Sequence, residues 1–454
     1  MLKRCFIAAV GIFFAAIASA GTLPISGGVD FRTVVKSAKD KVFPAVVYIK
    51  CLMENMESGK KVTHEVAGSG VIISPKGEVL TNWHVVDKAV EIRCLLLDGR
   101  YFDADKIGQD KDTDLALLQL KYPKEKPQKF IYAELGDSAG MLEGDFVMAM
   151  GAPWGLNRSV TMGIIACTKR YLPDNSEYSY WFQTDAAISP GNSGGPLVDT
   201  DGKVIGINTR GIMVGGDTGF TIPSDTIKLI IARLREFGEA NWSWTGLQLQ
   251  PLKDFNKNIY FEGTQGVIVA ETDPESPARR GGIKQRDRII EINGTPVTAA
   301  WSEDLPEIRR LIGLLPKNKD AVFKVIRDGK TLDFKIKPRK KGKVEGEELE
   351  CPRWDITVKA INQFDNPDLY FYCKQGVFVY GVKYPGNGSE AGLGQQDIIL
   401  KIDGKSVKTL EDVRKINEQA IKDIDKNHRM IFTVLRNGLM QQIVVDYARD
   451  YEKE

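Results

Sequence analysis

Short apolar runs separated by turn residues fill the chain up to about residue 222. Glycine, Asp-Gly pairs and proline divide these runs, and short strands at such regular spacing are typical of an all-β barrel or sandwich. Helical patterns flank the region at 31–42 and at 227–234, the second after the capping-type start Ser224-Asp-Thr. The strand-like runs include Val46–Lys50, Gly70–Ile73, Glu91–Leu97, Leu115–Leu120, Phe146–Met150 and Lys203–Ile207. We therefore predict a mainly β first domain at 21–240.

The rest of the chain contains an internal repeat. Residues 266–297 align with 376–407 at a constant offset of 110, without a gap, and ten of the 32 aligned residues are identical. The Arg-Asp-Gly at 327–329 and the Arg-Asn-Gly at 436–438 recur at an offset of 109. An ordered series of this kind indicates two copies of one domain. We predict these domains at 241–345 and 346–454.

Residues 1–20 have the pattern of an export signal. Lys3 and Arg4 give a positive start, an uncharged apolar run extends to Ile17, and Ala18-Ser-Ala follows as a cleavage site. The apolar run is shorter than the roughly 20 residues that span a bilayer, which argues against a membrane anchor. We therefore predict cleavage of this segment and a periplasmic protein.

Charge and composition exclude a nucleic-acid partner. Without Lys3 and Arg4 the 62 basic residues become 60, equal to the 60 acidic residues. The sequence has no long basic run and no basic-aromatic stripe. We interpret its most basic stretch, 337–343, as a solvated linker.

The cysteines and histidines predict neither a metal site nor a cofactor. Export removes Cys5 and leaves five cysteines, so at least one thiol is free. There is no Cys-x-x-Cys pair, and the three histidines are scattered. Cys351 and Cys373 form either a disulfide or two free thiols. The other cysteines, each in an apolar strand-like run, are predicted to be buried: Cys51, Cys94 and Cys167.

Gly191-Asn-Ser-Gly-Gly-Pro196 is the most specific chemical motif in the chain. A nucleophilic serine needs a tight turn that presents its hydroxyl, with backbone N–H groups beside it for an oxyanion. Flanking glycines permit such a backbone. By itself the motif is equally compatible with an ordinary glycine-rich turn, so its meaning depends on a base and an acid elsewhere.

His84 and Asp114 are the best candidates for that base and acid. His84 follows a predicted strand, whereas His64 lies in a polar segment and His428 lies in the repeat. Asp114 directly precedes a strand-like run that would carry it inward, whereas Asp112 is interpreted as a solvated turn residue. A buried carboxylate can fix the imidazole tautomer that a serine nucleophile requires.

The first domain resembles the protease domain of the HtrA (Deg) family, which has a chymotrypsin-like double β-barrel. The resemblance implies the triad His84, Asp114 and Ser193, with the N–H groups of Gly191 and Ser193 as the oxyanion hole. It also implies that Ile207, Asn208 and Thr209 line the primary specificity pocket, which we expect to be apolar and of modest size. The motifs that carry it include Gly68–Ile73, Thr81–His84, Asp112–Ala116, Leu135–Asp137, Gln183–Ala187, Gly191–Leu197, Gly206–Asn208 and Phe220–Ser224.

The two repeats resemble PDZ domains of α+β type. In the first copy, Thr264–Val267 would bind a terminal carboxylate, and the following strand would accept a peptide along its edge. Lys374–Val377 corresponds to it in the second copy, which lacks the Ser-Pro-Ala at 276–278. Peptide binding and a purely structural role both stay open for that copy. The predicted peptide-binding residues are Gly266, Val267, Ile268, Val269, Gly376 and Val377.

Together these features predict an exported serine endopeptidase of protein quality control, without a cofactor or metal. Its partners would be unfolded or misfolded polypeptides and peptide C-termini. The resemblance further implies a homotrimer or larger homo-oligomer, with contacts near Phe31. Two other functions share the motifs: a chaperone or scaffold that mainly binds clients, and a regulated site-specific signalling protease.

Overall fold

The computed structural model describes residues 30–153, 158–173, 177–212, 218–254 and 258–453. The predicted export signal at 1–20 lies outside these ranges. Within them, no helix combines the length and the apolar character that a membrane crossing requires.

Two closed antiparallel barrels form the first part of the chain, which we call the barrel domain. The first has the strand order β1-β2-β3-β6-β5-β4 and the second β10-β11-β12-β9-β8-β7, which confirms the predicted double barrel. The elements of the first are α1 (Phe31–Val42), β1 (Val46–Asn55), β2 (Val62–Ile72), β3 (Glu78–Thr81), α2 (Trp83–Val86), β4 (Ala89–Leu95), β5 (Tyr101–Asp110) and β6 (Leu115–Leu120). Those of the second are β7 (Phe146–Gly151), β8 (Ser159–Arg170), β9 (Trp181–Thr184), β10 (Pro196–Val198), β11 (Val204–Ile212) and β12 (Thr218–Pro223), followed by α3 (Ser224–Phe237).

The helices that flank the barrels occur where the sequence pattern predicts them. The Asp30 side chain caps α1 by accepting from the backbone N–H of Arg32. Helix α3 ends at Gly238, whose φ of 73° suits a residue without a side chain. Ser224 does not cap α3 as expected, because it lies inside the helix and its hydroxyl donates to the carbonyl of Gly136.

The first repeat domain is a sheet of order β14-β17-β18-β20-β21 packed on helix α5. Its first and last strands, β13 and β22, pair with each other, so the chain enters and leaves the domain at one place. The elements are β13 (Ser243–Trp244), β14 (Leu247–Gln250), β15 (Lys253–Asp254), β16 (Ile259–Tyr260), β17 (Val267–Thr272), α4 (Pro277–Arg280), β18 (Arg288–Ile292), β19 (Thr295–Pro296), α5 (Leu305–Gly313), β20 (Ala321–Arg327), β21 (Lys330–Ile336) and β22 (Arg339–Lys340).

The second repeat domain has the same plan, with the sheet order β23-β24-β25-β26-β28-β29. At the offset of 110, β17, β18 and β19 correspond residue for residue to β25, β26 and β27. The elements are β23 (Glu348–Cys351), β24 (Ile356–Ala360), α6 (Pro367–Tyr372), β25 (Val377–Val382), α7 (Asn387–Ala391), β26 (Ile398–Ile402), β27 (Lys405–Ser406), α8 (Leu410–Lys422), β28 (Arg429–Arg436) and β29 (Leu439–Asp446).

The segment between the repeat domains lies against the barrel domain. Lys341 pairs with Asp112 at 2.9 Å, and Lys111 pairs with Glu345 at 2.8 Å. The side chain of Lys341 is only 9% exposed. The interpretation of 337–343 as a solvated linker is therefore wrong at Lys341, because its ammonium pairs with the carboxylate of Asp112, which is only 16% exposed.

All five described cysteines are free thiols, so Cys351 and Cys373 do not form the disulfide that the sequence left open. Cys51 and Cys94 are buried as predicted, but Cys167 is only half-buried. Burial raises the pKa of the Cys51 thiol to about 12, which keeps it protonated at neutral pH.

Candidate active site

The imidazole of His84 is held by the carboxylate of Asp114. Its Nδ1 lies 3.0 and 2.9 Å from the two carboxylate oxygens, and the backbone N–H of His84 donates to Oδ1 at 3.0 Å. Asp114 is buried, with 7% of its surface exposed, and precedes β6 directly, as the sequence suggested. A carboxylate in this position keeps the proton on Nδ1 and leaves Nε2 unprotonated and able to accept one.

Asn82 fastens the Asp114 loop to the rest of the site. Its Nδ2 donates to the backbone carbonyl of Asp114 at 3.1 Å and to the hydroxyl of Thr209 at 3.0 Å. The backbone N–H of Trp83 donates to the same carbonyl at 3.1 Å. Our sequence reasoning missed Asn82, whose only signal was its place two residues before His84.

Ser193 lies on a tight turn whose backbone requires glycine. Gly191 and Gly194 have φ angles of 95° and 84°, in the region that residues with side chains rarely adopt. The Ser193 hydroxyl donates to the backbone carbonyl of Thr209 at 2.8 Å. Among the described residues, no hydrogen bond joins this hydroxyl to His84. The structure therefore holds the serine in a resting orientation within the same network as Asn82.

A bulge in β11 makes the Thr209 carbonyl accessible to Ser193. The register between β11 and β12 shifts between Asn208 and Arg210, so Thr209 has no opposite residue in the ladder. A bulged residue is left out of the regular hydrogen bonding. Its carbonyl can then accept the serine hydroxyl.

Ser69 supports the serine turn from the first barrel. Its backbone N–H donates to the carbonyl of Ser193 at 2.8 Å, and its hydroxyl donates to the carbonyl of Gly191 at 2.6 Å. Within the described ranges, the N–H groups of Gly191 and Ser193 have no hydrogen-bond partner in the protein. These are the two groups predicted to form the oxyanion hole.

The specificity residues predicted from the resemblance, Ile207, Asn208 and Thr209, all have buried side chains. Ile207 is fully buried in the barrel core, and Asn208 turns inward, where its Nδ2 donates to the carbonyl of Pro196 at 3.0 Å. The assignment of Ile207 and Asn208 to one wall of the specificity pocket stays a prediction. Thr209 is also buried, and it contacts Ser193 and Asn82.

Ile188 lies next to the serine turn, because the backbone N–H of Asn192 donates to the carbonyl of the neighbouring Ser189 at 2.9 Å. It is half-buried, and its side chain contacts the backbone of Gly219 so closely that a Cβ there would lie 2.6 Å from Ile188 Cδ1. Gly211 lies beside the carbonyl of Ile188. Gly219 thus packs directly against the Ile188 side chain and Gly211 against its carbonyl, contacts that sequence reasoning missed.

Two carboxylates with little exposure precede Asp114. Asp112 was interpreted as a solvated turn residue, but its side chain is only 16% exposed and is paired with Lys341. Asp110 accepts hydrogen bonds from Thr113 and from the indole N–H of Trp242. Burial, with the neighbouring charge of Asp112, raises the pKa of Asp110 to about 7.

A cleft of about 490 Å³ opens in front of His84 and Asp114 and is shared by all three domains. Residues 243–249 of the first repeat domain form one wall, and Phe364 of the second repeat domain contributes to another. The exposed Arg210 brings a positive charge to the same space. No group of three or more His, Cys, Asp or Glu side chains in the described part of the chain is placed to hold a metal ion.

The predicted peptide-binding strand of the first repeat domain is not a sheet edge. Residues 267 and 268 of β17 pair with β18, and β17 also pairs with β14 along 268–272. In the second copy β25 likewise lies between β24 and β26. The assignment of an open edge to Val267–Val269 is therefore wrong, because both of its sides are occupied.

The open edge of the first repeat domain is β14. Among the described residues, no strand pairs with its outer side. Residues of β14 and Leu305 at the start of α5 line a groove there of about 440 Å³. Ile308 and Ile312 of α5 are buried in the domain core.

Comparison with known families identifies the domains. The trypsin-like peptidase domain family matches residues 68–207, and the PDZ domain family matches residues 245–337, within the first repeat domain. The fold and the site thus define a trypsin-like serine endopeptidase that carries a PDZ domain.

The relatives define the family more narrowly. The periplasmic serine endoprotease DegP of Escherichia coli (strain K12) is 32% identical over 373 residues, covering 79% of this chain and 73% of the relative. A probable periplasmic serine endoprotease DegP-like of Halomonas elongata is 35% identical over 393 residues, covering 84% and 79%. The solved structure of the HtrA-type protease AlgW with tripeptide has a TM-score of 0.58 and 30% identity, covering 68% of this chain and 97% of that one. The chain belongs to the HtrA family of serine proteases, as its sequence motifs predict.

Proposed function

We propose that the chain hydrolyses peptide bonds of unfolded or damaged proteins in the periplasm, with His84, Asp114 and Ser193 as catalytic residues. The observation that carries this proposal is the His84–Asp114 pair, which is held beside a glycine turn whose Gly191 and Ser193 N–H groups are unpartnered in the described structure. A base, an orienting acid, a nucleophile and two oxyanion donors are the parts that acyl transfer to serine requires.

The reaction begins when the Ser193 hydroxyl turns from the Thr209 carbonyl to Nε2 of His84. Exchanging one such hydrogen bond costs about 1 kcal/mol, so the resting orientation is easily left. Ser193 Oγ then attacks the substrate carbonyl while Nε2 takes its proton. The negative charge on the substrate oxygen is stabilised by the N–H groups of Gly191 and Ser193.

The tetrahedral intermediate collapses when His84 returns the proton to the leaving amine. Water then attacks the acyl-enzyme, again with His84 as the base, and releases the second product. Asp114 stays ionised throughout and stabilises the imidazolium that forms at each attack.

The relatives and the PDZ domain support the proposed location and clients. The relatives are named periplasmic endoproteases, and the sequence pattern of residues 1–20 favours export. A PDZ domain binds extended peptides and C-termini, which damaged proteins expose. We assign client binding to the groove beside β14 of the first repeat domain.

We also propose a trimer built through the barrel domains. The rings of Phe31 and Phe146 lie 4.9 Å apart, and Phe146 is 52% exposed. A partly exposed aromatic pair favours burial against a second copy. Light scattering on the mature chain should give a trimer or a multiple of it, and a monomer throughout the micromolar range would contradict this.

Incubation of unfolded casein with the mature chain and with its Ser193→Ala variant tests the activity. We expect fragments from the wild type and none from the variant, since the nucleophile is missing. Folded proteins of a size similar to casein serve as controls and should resist cleavage. Binding of casein without cleavage by the wild type would instead indicate a chaperone or scaffold.

A further inference from the structure

The two repeat domains differ at the sheet edge that a peptide would join. In the first, no described strand pairs with the outer side of β14. In the second, the corresponding strand β24 carries an additional antiparallel strand, β23, on that side. The register runs from Glu348 opposite Lys359 to Cys351 opposite Ile356. Strand β23 therefore occupies the position in which an extended ligand adds to a PDZ sheet.

Strand β23 also contacts the other wall of the groove. Cys351 is fully buried, and Leu349 packs against the same cluster, which includes Val413, Ile416 and Ala420 of helix α8. Alternate side chains of a strand point to one face. Residues 349 and 351 thus fill the space between β24 and α8, as the alternate side chains of a bound peptide would.

The chain continues without a break past the end where a ligand would terminate. Because β23 is antiparallel to β24, its C-terminal residue Cys351 lies opposite Ile356, the first residue of β24. A short helical turn at Pro352–Trp354 joins them, and the N–H of Asp355 donates to the carbonyl of Pro352 at 3.1 Å. A free C-terminal carboxylate cannot enter this end of the groove while β23 is in place.

The outward side chains of β23 bind the barrel domain. Glu348 lies 2.6 Å from the ammonium of Lys88 and 3.3 Å from that of Lys359, and its side chain is 10% exposed. Glu350 accepts from the backbone N–H of Lys61 at 2.6 Å. Lys61 and Lys88 belong to the barrel domain, so one strand contacts both the groove and the barrel.

We infer that residues 348–351 are an internal ligand of the second repeat domain. They fill its peptide groove with the chain's own backbone and, through Glu348 and Glu350, hold the domain against the first barrel. The second domain is therefore closed to free peptide C-termini and serves as a docking module. Client binding, which we assigned above to the first repeat domain, is not needed for this inference.

Hydrogen exchange on the full chain carrying Ser193→Ala, which prevents self-cleavage, tests the inference without any ligand. After correction for intrinsic rates, the amides of β24 should exchange at least about tenfold more slowly than those of the open edge strand β14. Equal rates at the two strands would overturn the inference. So would added protection at 356–360, with loss at 348–351, when a peptide with an apolar free C-terminus is supplied.

Leu349→Asp places a charge in the apolar groove and should release the strand. We expect exchange at 356–360 to rise severalfold toward the rate of β14, and Glu347→Ala, at an exposed neighbouring position, to leave it unchanged. No rise with Leu349→Asp would count against the inference. If this variant unfolds the domain, exchange will also rise at 429–446. The inference is then decided by the two measurements on the chain without Leu349→Asp, namely the comparison of β24 with β14 and the addition of the peptide.

Discussion

Lys341 and Asp112 form a nearly buried ion pair across 229 positions of sequence, with the ammonium 2.9 Å from each carboxylate oxygen. Asp112 lies two residues before Asp114, the partner of His84. Lys341 directly follows β22, where the chain leaves the first repeat domain. The segment between the two repeat domains therefore contacts the loop that orients His84.

Lys341→Met should destabilise the chain and lower its activity. It leaves the charge of Asp112 buried without a partner, which typically costs about 3–5 kcal/mol. We expect a lower denaturant midpoint and slower casein cleavage, because the Asp114 loop loses its support. Lys343→Met is the matched control, since that side chain is 76% exposed and should change stability by less than about 1 kcal/mol. Equal stability of the two variants would show that the buried pair contributes nothing.

Asp110 should make stability depend on pH. Its folded pKa of about 7 lies above the ordinary value near 4. Between these values the folded state keeps a proton that the unfolded state has lost, so the contribution of this group to stability falls as the pH rises. Asp110→Asn removes that slope, although it also weakens one of the hydrogen bonds from Thr113 and Trp242.

Urea unfolding at pH 5 and pH 7.5 measures the difference. The free-energy advantage of the wild type over Asp110→Asn should shrink by on the order of 2 kcal/mol between the two pH values. Asp105→Asn, at an exposed position, should show a constant difference. A constant difference for Asp110→Asn as well would mean that Asp110 titrates normally.

Asp114→Asn should leave the fold intact and remove most of the activity. The amide would favour the tautomer with the proton on Nε2, which cannot act as the base, so turnover should fall by about four orders of magnitude. His84→Ala and Ser193→Ala should fall by about three orders or more. Casein hydrolysis measures the loss of activity, and circular dichroism shows whether the fold is intact. His64→Ala is the control that should stay active. Near-normal cleavage by any triad variant would refute the site.

Cleavage should follow small aliphatic residues, namely Val, Ala, Ile or Leu. The resemblance implies an apolar primary pocket of modest size, and the half-buried aliphatic side chain of Ile188 lies next to the serine turn, where Asn192 N–H donates to the carbonyl of Ser189. Ile188→Ala should shift the preference toward larger side chains by about tenfold, as methylene-sized changes in a pocket do. Mass spectrometry of casein fragments measures this, with exposed Ile131→Ala as control. A preference for Lys or Arg would contradict the assignment.

Gly381→Ala should detach the second repeat domain from the barrel domain. A Cβ at this position would overlap the backbone of Glu57 and Gly59, and overpacking typically costs about 1–3 kcal/mol. The neighbouring hydroxyl of Tyr380 donates to Glu57 at 2.8 Å and would lose this contact. Small-angle scattering should show a larger radius of gyration. Gly342→Ala, whose Cβ would meet only Phe364 at 4.0 Å, should not change it.

The residue pattern alone was sufficient to predict the local helices and strands and the types of side chain in the candidate active site. Helix α1 and strand β6 occur at the predicted residues because their apolar periodicity matches the element that buries them. The choice of Asp114 over Asp112 was also possible, since only Asp114 directly precedes β6. A constant offset between the repeats predicted two domains of one plan.

Tertiary structure decided which side chains and edges are accessible. Alternation along β11 could not tell that Thr209 leaves the ladder and offers its carbonyl to Ser193, because a one-residue bulge there changes the register. The low exposure of Asp112 depends on its pairing with Lys341. The closed edge of β24 depends on β23, a strand that lies outside the aligned ranges 266–297 and 376–407. Contacts between distant segments create these features, and the local sequence does not specify which distant segments will contact each other.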